Sequence, residues 1–102
     1  MKNKNIFEIE EWYEYDENNR LIHFKDSEGN ETWWNYNKNG KEIYRKDKLK
    51  NGSISEEYHE YDENNRLIYR KLPDGLEEWW KYDKNGNEIY YKKKSKNEKY
   101  FF

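Results

Sequence analysis

A sixteen-residue unit occurs four times in this chain of 102 residues, and the repetition limits the possible folds more than any other feature. The copies read EWYEYDENNRLIHFKD, TWWNYNKNGKEIYRKD, EYHEYDENNRLIYRKL and EWWKYDKNGNEIYYKK, and they start at Glu11, Thr32, Glu57 and Glu78. Copies one and three share the octet YDENNRLI, and copies two and four resemble each other. The larger period is therefore 46 residues.

Each unit has the pattern of a β-hairpin. An aromatic-rich stretch leads into Asp or Asn, then into Asn followed by Asn or Gly, and then into a stretch centred on Ile. This order is typical of a type I turn followed by a left-handed bulge residue. The turns are predicted to begin at Asp16, Asn37, Asp62 and Asp83. The left-handed residues are predicted to be Asn19, Gly40, Asn65 and Gly86.

The units predict an all-β fold. It is an antiparallel meander of about eight strands built from four repeated hairpins, forming a curled sheet or an open barrel. The expected strands are about 7–16, 20–26, 31–37, 41–47, 54–62, 66–72, 76–83 and 87–94. One domain spans 1–102, with units at about 11–30, 31–55, 56–76 and 77–94 and a tail at 95–102 that either folds back or forms a short helix. The longer linker at 47–53 predicts a protruding loop or a seam.

Composition supports strands over helices. Ala and Gln are absent and Pro occurs once, whereas five Trp and eleven Tyr favour strands and supply large apolar rings. With Asp16 opposite Arg20, alternation places one aromatic set on a predicted core face: Tyr13, Tyr15, Leu21, His23, Trp34, Tyr36, Tyr44, Tyr61, Leu67, Tyr69, Trp80, Tyr82 and Tyr90. The opposite face is predicted to carry Trp12, Ile22, Phe24, Trp33, Ile43, Tyr58, Ile68, Trp79 and Ile89 among charges.

Charge and cysteine content exclude several classes of function. Twenty Lys and Arg nearly balance twenty-two Asp and Glu along the strands, which is typical of solvated strand faces and not of a nucleic-acid groove. Without Cys the chain has neither disulfides nor thiolate metal ligands. No apolar run has the length of a signal peptide or a membrane span, so we expect a protein that does not bind membranes. The simplest location is the cytoplasm, and export by an unconventional route is the alternative.

The unit resembles the YD repeat of Rhs-type bacterial proteins. The likeness rests on Tyr15, Asp16, Asn18, Arg20 and Leu21 and on the equivalent residues Tyr61, Asp62, Asn64, Arg66 and Leu67. Copies two and four depart from it, with Lys41-Glu42 and Asn87-Glu88 where the family has Arg-Leu. The resemblance implies the hairpin architecture and a place in bacterial toxin systems, where a short stand-alone member looks like an immunity protein.

No pattern of catalytic or metal-binding residues stands out. His23 and His59 lack metal-ligand spacing, and we expect no enzyme activity and no cofactor. Exposed aromatic and arginine side chains predict a site for a protein partner, a cognate toxin, at Trp12, Trp33, Arg45, Tyr58, Arg70 and Trp79. The alternative is a carbohydrate- or choline-binding module that stacks its ligand on Trp12, Trp33 and Trp79. A homodimer through strand edges is a further option, which the Lys and Glu residues scattered along the strands oppose.

Overall fold

The computed structural model describes residues 7–96, which form one antiparallel sheet with the strands in sequence order. The strands are β1 (Glu11–Tyr15), β2 (Leu21–Asp26), β3 (Glu31–Tyr36), β4 (Glu42–Lys48), β5 (Ile54–Tyr61), β6 (Leu67–Lys71), β7 (Glu77–Tyr82) and β8 (Glu88–Lys94). The predicted eight-strand meander is confirmed. The sheet does not close into a barrel, because β1 and β8 do not pair with each other. The tail beyond residue 96 lies outside the described residues.

The hairpin turns follow the predicted chemistry. Asn19 and Asn65 both have φ of 63°, the left-handed region in which Asn is tolerated. The Asp16 N–H donates to the carbonyl oxygen of Arg20 at 2.9 Å, and Tyr15 lies opposite Leu21, as predicted. The Asp16 carboxylate accepts hydrogen bonds from the backbone N–H groups of Arg20 and Asn18. Both hydrogen bonds lower the pKa of Asp16, and the one from Arg20 has the larger effect.

Besides the bulge at the turn, every hairpin has a second bulge within its strands, and this second bulge changes which residues share a face. Pairing passes from Tyr15 opposite Leu21 to Glu14 opposite His23, so Ile22 has no partner in the register. The same shift leaves out the equivalent isoleucines Ile43, Ile68 and Ile89. Because one extra residue exchanges the faces, the predicted face assignment is wrong beyond this point. Tyr13 shares its face with Phe24, not with His23, and their ring centroids are 5.2 Å apart.

The sheet is a single layer, so the prediction that one face forms a core is wrong. The molecule measures 67 × 44 × 16 Å, and none of the hydrophobic residues between 7 and 96 is buried. The two most buried polar residues in that range are Asp26 and Glu78, at 9% and 7% exposure. Because residues 7–96 form no second layer over either face, the aromatic rings stabilise the sheet by packing against neighbouring strands on both sides.

The linker at 47–53 does not form the predicted protruding loop. Its first residues lengthen β4, and Lys48 lies opposite Ile54. Leu49 to Ser53 then make the same turn as the hairpins, with Gly52 at φ 90° donating to the carbonyl of Leu49 at 2.8 Å. The sheet therefore continues without a break between the second and third units.

A tyrosine joins each YDENNRLI copy to the unit that follows it. The Tyr36 hydroxyl donates to the carbonyl oxygen of Leu21 at 2.5 Å, and the Tyr82 hydroxyl donates to that of Leu67 at 2.6 Å. Burial is the main cause that raises the pKa of Tyr36. Leu21 therefore links the two units through its backbone carbonyl.

Candidate protein-binding surface

The two faces of the sheet carry different cations beside their aromatic rings. We call one the lysine face and define it by Trp12, Lys25, Trp33, Lys46, Tyr58, Lys71, Trp79 and Lys92. We call the other the arginine face and define it by Tyr13, Phe24, Trp34, Arg45, His59, Arg70, Trp80 and Tyr91. Adjacent strand residues point to opposite sides, so each Trp-Trp pair contributes one ring to each face.

On the lysine face, an ammonium group lies over each tryptophan. The distances from Nζ to the ring centroid are 5.9 Å for Lys25 over Trp12, 5.2 Å for Lys46 over Trp33 and 5.0 Å for Lys92 over Trp79. These are cation–π distances. Trp12 is 48% exposed and Tyr58 is 38% exposed, so the face offers broad aromatic surface at its outer edge and at its centre.

Tyrosine hydroxyls on the lysine face donate to carboxylates of the next strand. Tyr44 donates to Glu56 at 2.5 Å, and Tyr69 donates to Glu77 at 2.7 Å. Each carboxylate favours the protonated phenol, and these hydrogen bonds are the main cause that raises the pKa of both tyrosines to about 12. The two phenols are therefore neutral hydrogen-bond donors at physiological pH.

His23 links three strands on the lysine face. Its Nδ1 lies 2.7 Å from Oε1 of Glu14 and its Nε2 lies 2.8 Å from Oε2 of Glu31. The ring stacks on Trp33 with the centroids 5.4 Å apart. The hydrogen bond to Glu31, reinforced by that to Glu14, raises the His23 pKa above 6.5 although partial burial opposes the shift. The two carboxylates thus favour the protonated form of the imidazole that lies between them.

The arginine face has two Trp-Arg-carboxylate groups. The Arg45 Cζ lies 5.6 Å from the centroid of Trp34, and Arg45 Nε lies 3.0 Å from Oδ2 of Asp47. Asp47 also accepts a hydrogen bond from the Thr32 hydroxyl at 2.7 Å. The arginine therefore has its charge paired within the sheet.

The second group on the arginine face centres on Glu78. Arg70 Cζ lies 5.7 Å from the centroid of Trp80, and Arg70 Nη2 lies 2.6 Å from Oε1 of Glu78. The Tyr91 hydroxyl donates to the other Glu78 oxygen at 2.6 Å. Burial raises the pKa of Glu78, but Tyr91 and Arg70 together outweigh it and the pKa is lowered. The low exposure of Glu78 follows from this set of contacts.

The predicted partner-binding residues divide between the two faces. Trp12, Trp33, Tyr58 and Trp79 lie on the lysine face, whereas Arg45 and Arg70 lie on the arginine face. Trp34, Trp80 and Glu78 were not among the residues predicted for the site. The recurrence of the Trp-Trp pair after 46 residues was the signal that both rings of each pair belong to ordered surfaces.

The His59 imidazole is not held between two carboxylates as the His23 imidazole is. Its Nε2 lies 2.9 Å from Oε2 of Glu57, while its buried Nδ1 has no hydrogen-bond partner among the described residues. Within residues 7–96, no group of three or more His, Asp or Glu side chains is placed to hold a metal ion. The same residues include no helix of the length and apolarity that a membrane crossing requires.

The fold has a counterpart among solved structures. A chain of the Photorhabdus luminescens Tc holotoxin pore, solved in a mutant form, matches with a TM-score of 0.69 at 14% sequence identity. The match covers 86% of this chain and 4% of that chain, so the meander corresponds to a small part of a far larger protein. No family model matches the chain, and no curated protein matches it. At this identity the likeness shows the fold alone.

Proposed function

We propose that this chain is a non-enzymatic protein-binding module that binds a bacterial toxin in the cytoplasm and neutralises it, as an immunity protein does. The observation that carries the proposal is the lysine face, a row of aromatic rings that no second layer covers within residues 7–96. Exposed aromatic patches framed by charged residues are typical of protein interaction sites. The resemblance to YD repeats and the fold shared with a toxin-complex chain support a toxin as the partner.

The lysine face fits a protein partner better than the arginine face does. Arg45 and Arg70 are already paired with Asp47 and Glu78, so a partner would have to break those ion pairs to reach either guanidinium. The lysines over the tryptophans of the other face are single charges on flexible stems, and they can turn toward an acidic group of a partner at small cost. Ring exposure does not distinguish the faces, since Trp12 and Tyr58 are exposed on the lysine face and Tyr13 and Tyr91 on the arginine face.

The experiment is co-expression with the product of the adjacent gene in a growth assay, followed by co-purification. We expect this chain to restore growth and to be isolated in complex with the toxin. Trp33→Ala should reduce both readouts at least tenfold, which is the loss for a central aromatic anchor. Trp34→Ala is the matched control, because it removes the neighbouring ring from the opposite face and should leave binding intact. Growth that is not restored, with no complex isolated, would contradict the proposal.

The carbohydrate or choline alternative receives no specific support from the geometry. A sugar or a quaternary ammonium group stacks on an aromatic face, and a lysine ammonium already lies over each of Trp12, Trp33 and Trp79. Titration with a panel of glycans and choline should therefore leave the tryptophan fluorescence unchanged. A saturable change would favour this alternative.

A further inference from the structure

The outer strands β1 and β8 each have one side with no pairing strand among residues 7–96. The backbone N–H and C=O groups along such an edge are a template for another strand. Seven strand spacings of about 4.8 Å separate the two edges, roughly 34 Å in total, so they cannot meet within one sheet. We propose that β8 of one molecule pairs with β1 of a second copy of this chain, in the register that β4 and β5 already use.

The 46-residue period fixes that register. It makes β8 equivalent to β4 and β1 equivalent to β5, and β4 and β5 are paired within the molecule. In that joint Tyr44 lies opposite Tyr58, and Lys46 lies opposite Glu56. Adding 46 to the number of each β4 residue gives its equivalent on β8, and subtracting 46 from the number of each β5 residue gives its equivalent at β1. The pairs expected between two copies are therefore Tyr90 with Trp12, Lys92 with Glu10 and Lys94 with Glu8.

The charges of the two edges are complementary. The β8 edge ends in the run Lys92, Lys93 and Lys94, whereas the chain leading into β1 carries acidic residues. Glu10 continues the pairing of β1, since its carbonyl oxygen accepts from the N–H of Ser27 at 2.9 Å. Opposite charges across paired strands stabilise a sheet, and like charges destabilise it. A β8–β8 or β1–β1 pair would bring like charges together, so only the head-to-tail pair is favoured.

Under this proposal, the opposition of the scattered Lys and Glu residues to self-association does not extend to β1 and β8. Lys and Glu are mixed in the middle of the sheet, but they separate at its borders, with lysines on β8 and glutamates at β1. Such a distribution prevents identical edges from pairing. It leaves the pairing of unlike edges open.

Contacts beside the β4–β5 joint can also recur between copies. The rings of Tyr44 and Tyr58 lie with centroids 5.0 Å apart. The equivalent side chains at the edges are Tyr90 and Trp12, which are 43% and 48% exposed. At the turns, Asn39 Nδ2 donates to Asn65 Oδ1 at 2.9 Å. The equivalents of these two residues are Asn85 and Asn19.

The proposed contact is heterologous, because it joins two different surfaces. Each added copy leaves one free β1 edge and one free β8 edge, so association continues into open chains of molecules. The proposal does not rest on the toxin-binding function, since the backbone groups of the two sheet edges make the contact. Of the residues that define the lysine face, Trp12 and Lys92 lie at this contact.

A crosslinking experiment tests the register, because the chain has no native Cys. Purified Glu10→Cys and Lys92→Cys variants are mixed under mild oxidation. Directly opposite Cα atoms in antiparallel strands are about 4.5–5.5 Å apart, a distance that a disulfide can span. We expect a mixed disulfide dimer. The control mixture is Glu14→Cys with Lys92→Cys, in which the cysteine on β1 is displaced by about 13 Å and should crosslink at least tenfold less.

Sedimentation of the unmodified chain over a range of concentrations is the second measurement. We expect the average mass to rise with concentration, and we expect Lys92→Glu with Lys94→Glu to hold the chain as a monomer. Mixing that variant with the Glu8→Lys, Glu10→Lys variant should restore association. A wild-type chain that stays monomeric, equal crosslinking in the control mixture, or preferential dimers of Glu10→Cys with itself would overturn the proposal.

Discussion

The guanidinium of Arg20 lies over the ring of Tyr36, with Cζ 5.4 Å from the ring centroid, and this contact joins the first unit to the second. Arg20 Nη1 also donates to the carbonyl oxygen of Asn37 at 3.5 Å. Arg66 repeats the contact on Tyr82 at 5.2 Å. In a sheet without a buried hydrophobic core among residues 7–96, such contacts between units replace the packing of a second layer.

Replacing the arginine of this contact by lysine should weaken the joint between units. Arg20→Lys removes the planar group that stacks on Tyr36, and we expect the free energy of unfolding to fall by about 1 kcal/mol in urea titrations. Lys41→Ala, at the equivalent position of the second unit, is the control and should change it by less than about 0.5 kcal/mol. Equal losses in both variants would show that the stacking does not stabilise the sheet.

The hydroxyl of Tyr36 should contribute separately from its ring. Tyr36→Phe removes the hydrogen bond to the Leu21 carbonyl and should cost about 1 kcal/mol of unfolding free energy. Tyr15→Phe alters the equivalent residue of the first unit, where the side chain is 57% exposed, and should have little effect. If thermal melts of the two variants coincide, the hydroxyl bond between units is not stabilising.

The turn residue Asn19 tests the repeat chemistry. At φ 63° an Ala side chain is strained, so Asn19→Ala should cost about 1 kcal/mol, whereas Asn19→Gly should be nearly neutral. Asn18→Ala replaces the neighbouring Asn and should be tolerated. A Gly variant less stable than the Ala variant, by urea titration, would rule out the left-handed conformation.

His23 should make part of the stability depend on pH. Its folded-state pKa is raised above 6.5, so the stabilisation is complete below 6.5 and is lost as the pH rises through the folded-state value. We expect His23→Gln to lower the free energy of unfolding by about 1 kcal/mol under mildly acidic conditions and by less under alkaline ones. Urea titrations at both pH values check this. A larger loss under alkaline conditions would reverse the sign and contradict the ion pairs with Glu14 and Glu31.

The sequence predicted the turns and the strand order well because Asp, Asn and Gly mark the turns by local chemistry. The second bulge could not be predicted, since Ile22 and its equivalents are ordinary strand residues without a Gly or Asn signal. Missing that bulge exchanged the faces, and Arg45 was therefore grouped with Trp33 although it stacks on Trp34. The absence of a core was also not predictable, because the aromatic content fits a one-layer or a two-layer sheet equally well.

The most direct test of the central proposal, that the lysine face binds a protein partner, is oxidative footprinting of the five tryptophans in the free chain and in a complex with the proposed toxin partner. The tryptophans fall into two sets on opposite faces, so one measurement compares the faces within one molecule. We predict that Trp12, Trp33 and Trp79 become protected in the complex while Trp34 and Trp80 do not change. Protection of Trp34 and Trp80 instead, or no protection of any tryptophan, would contradict the account.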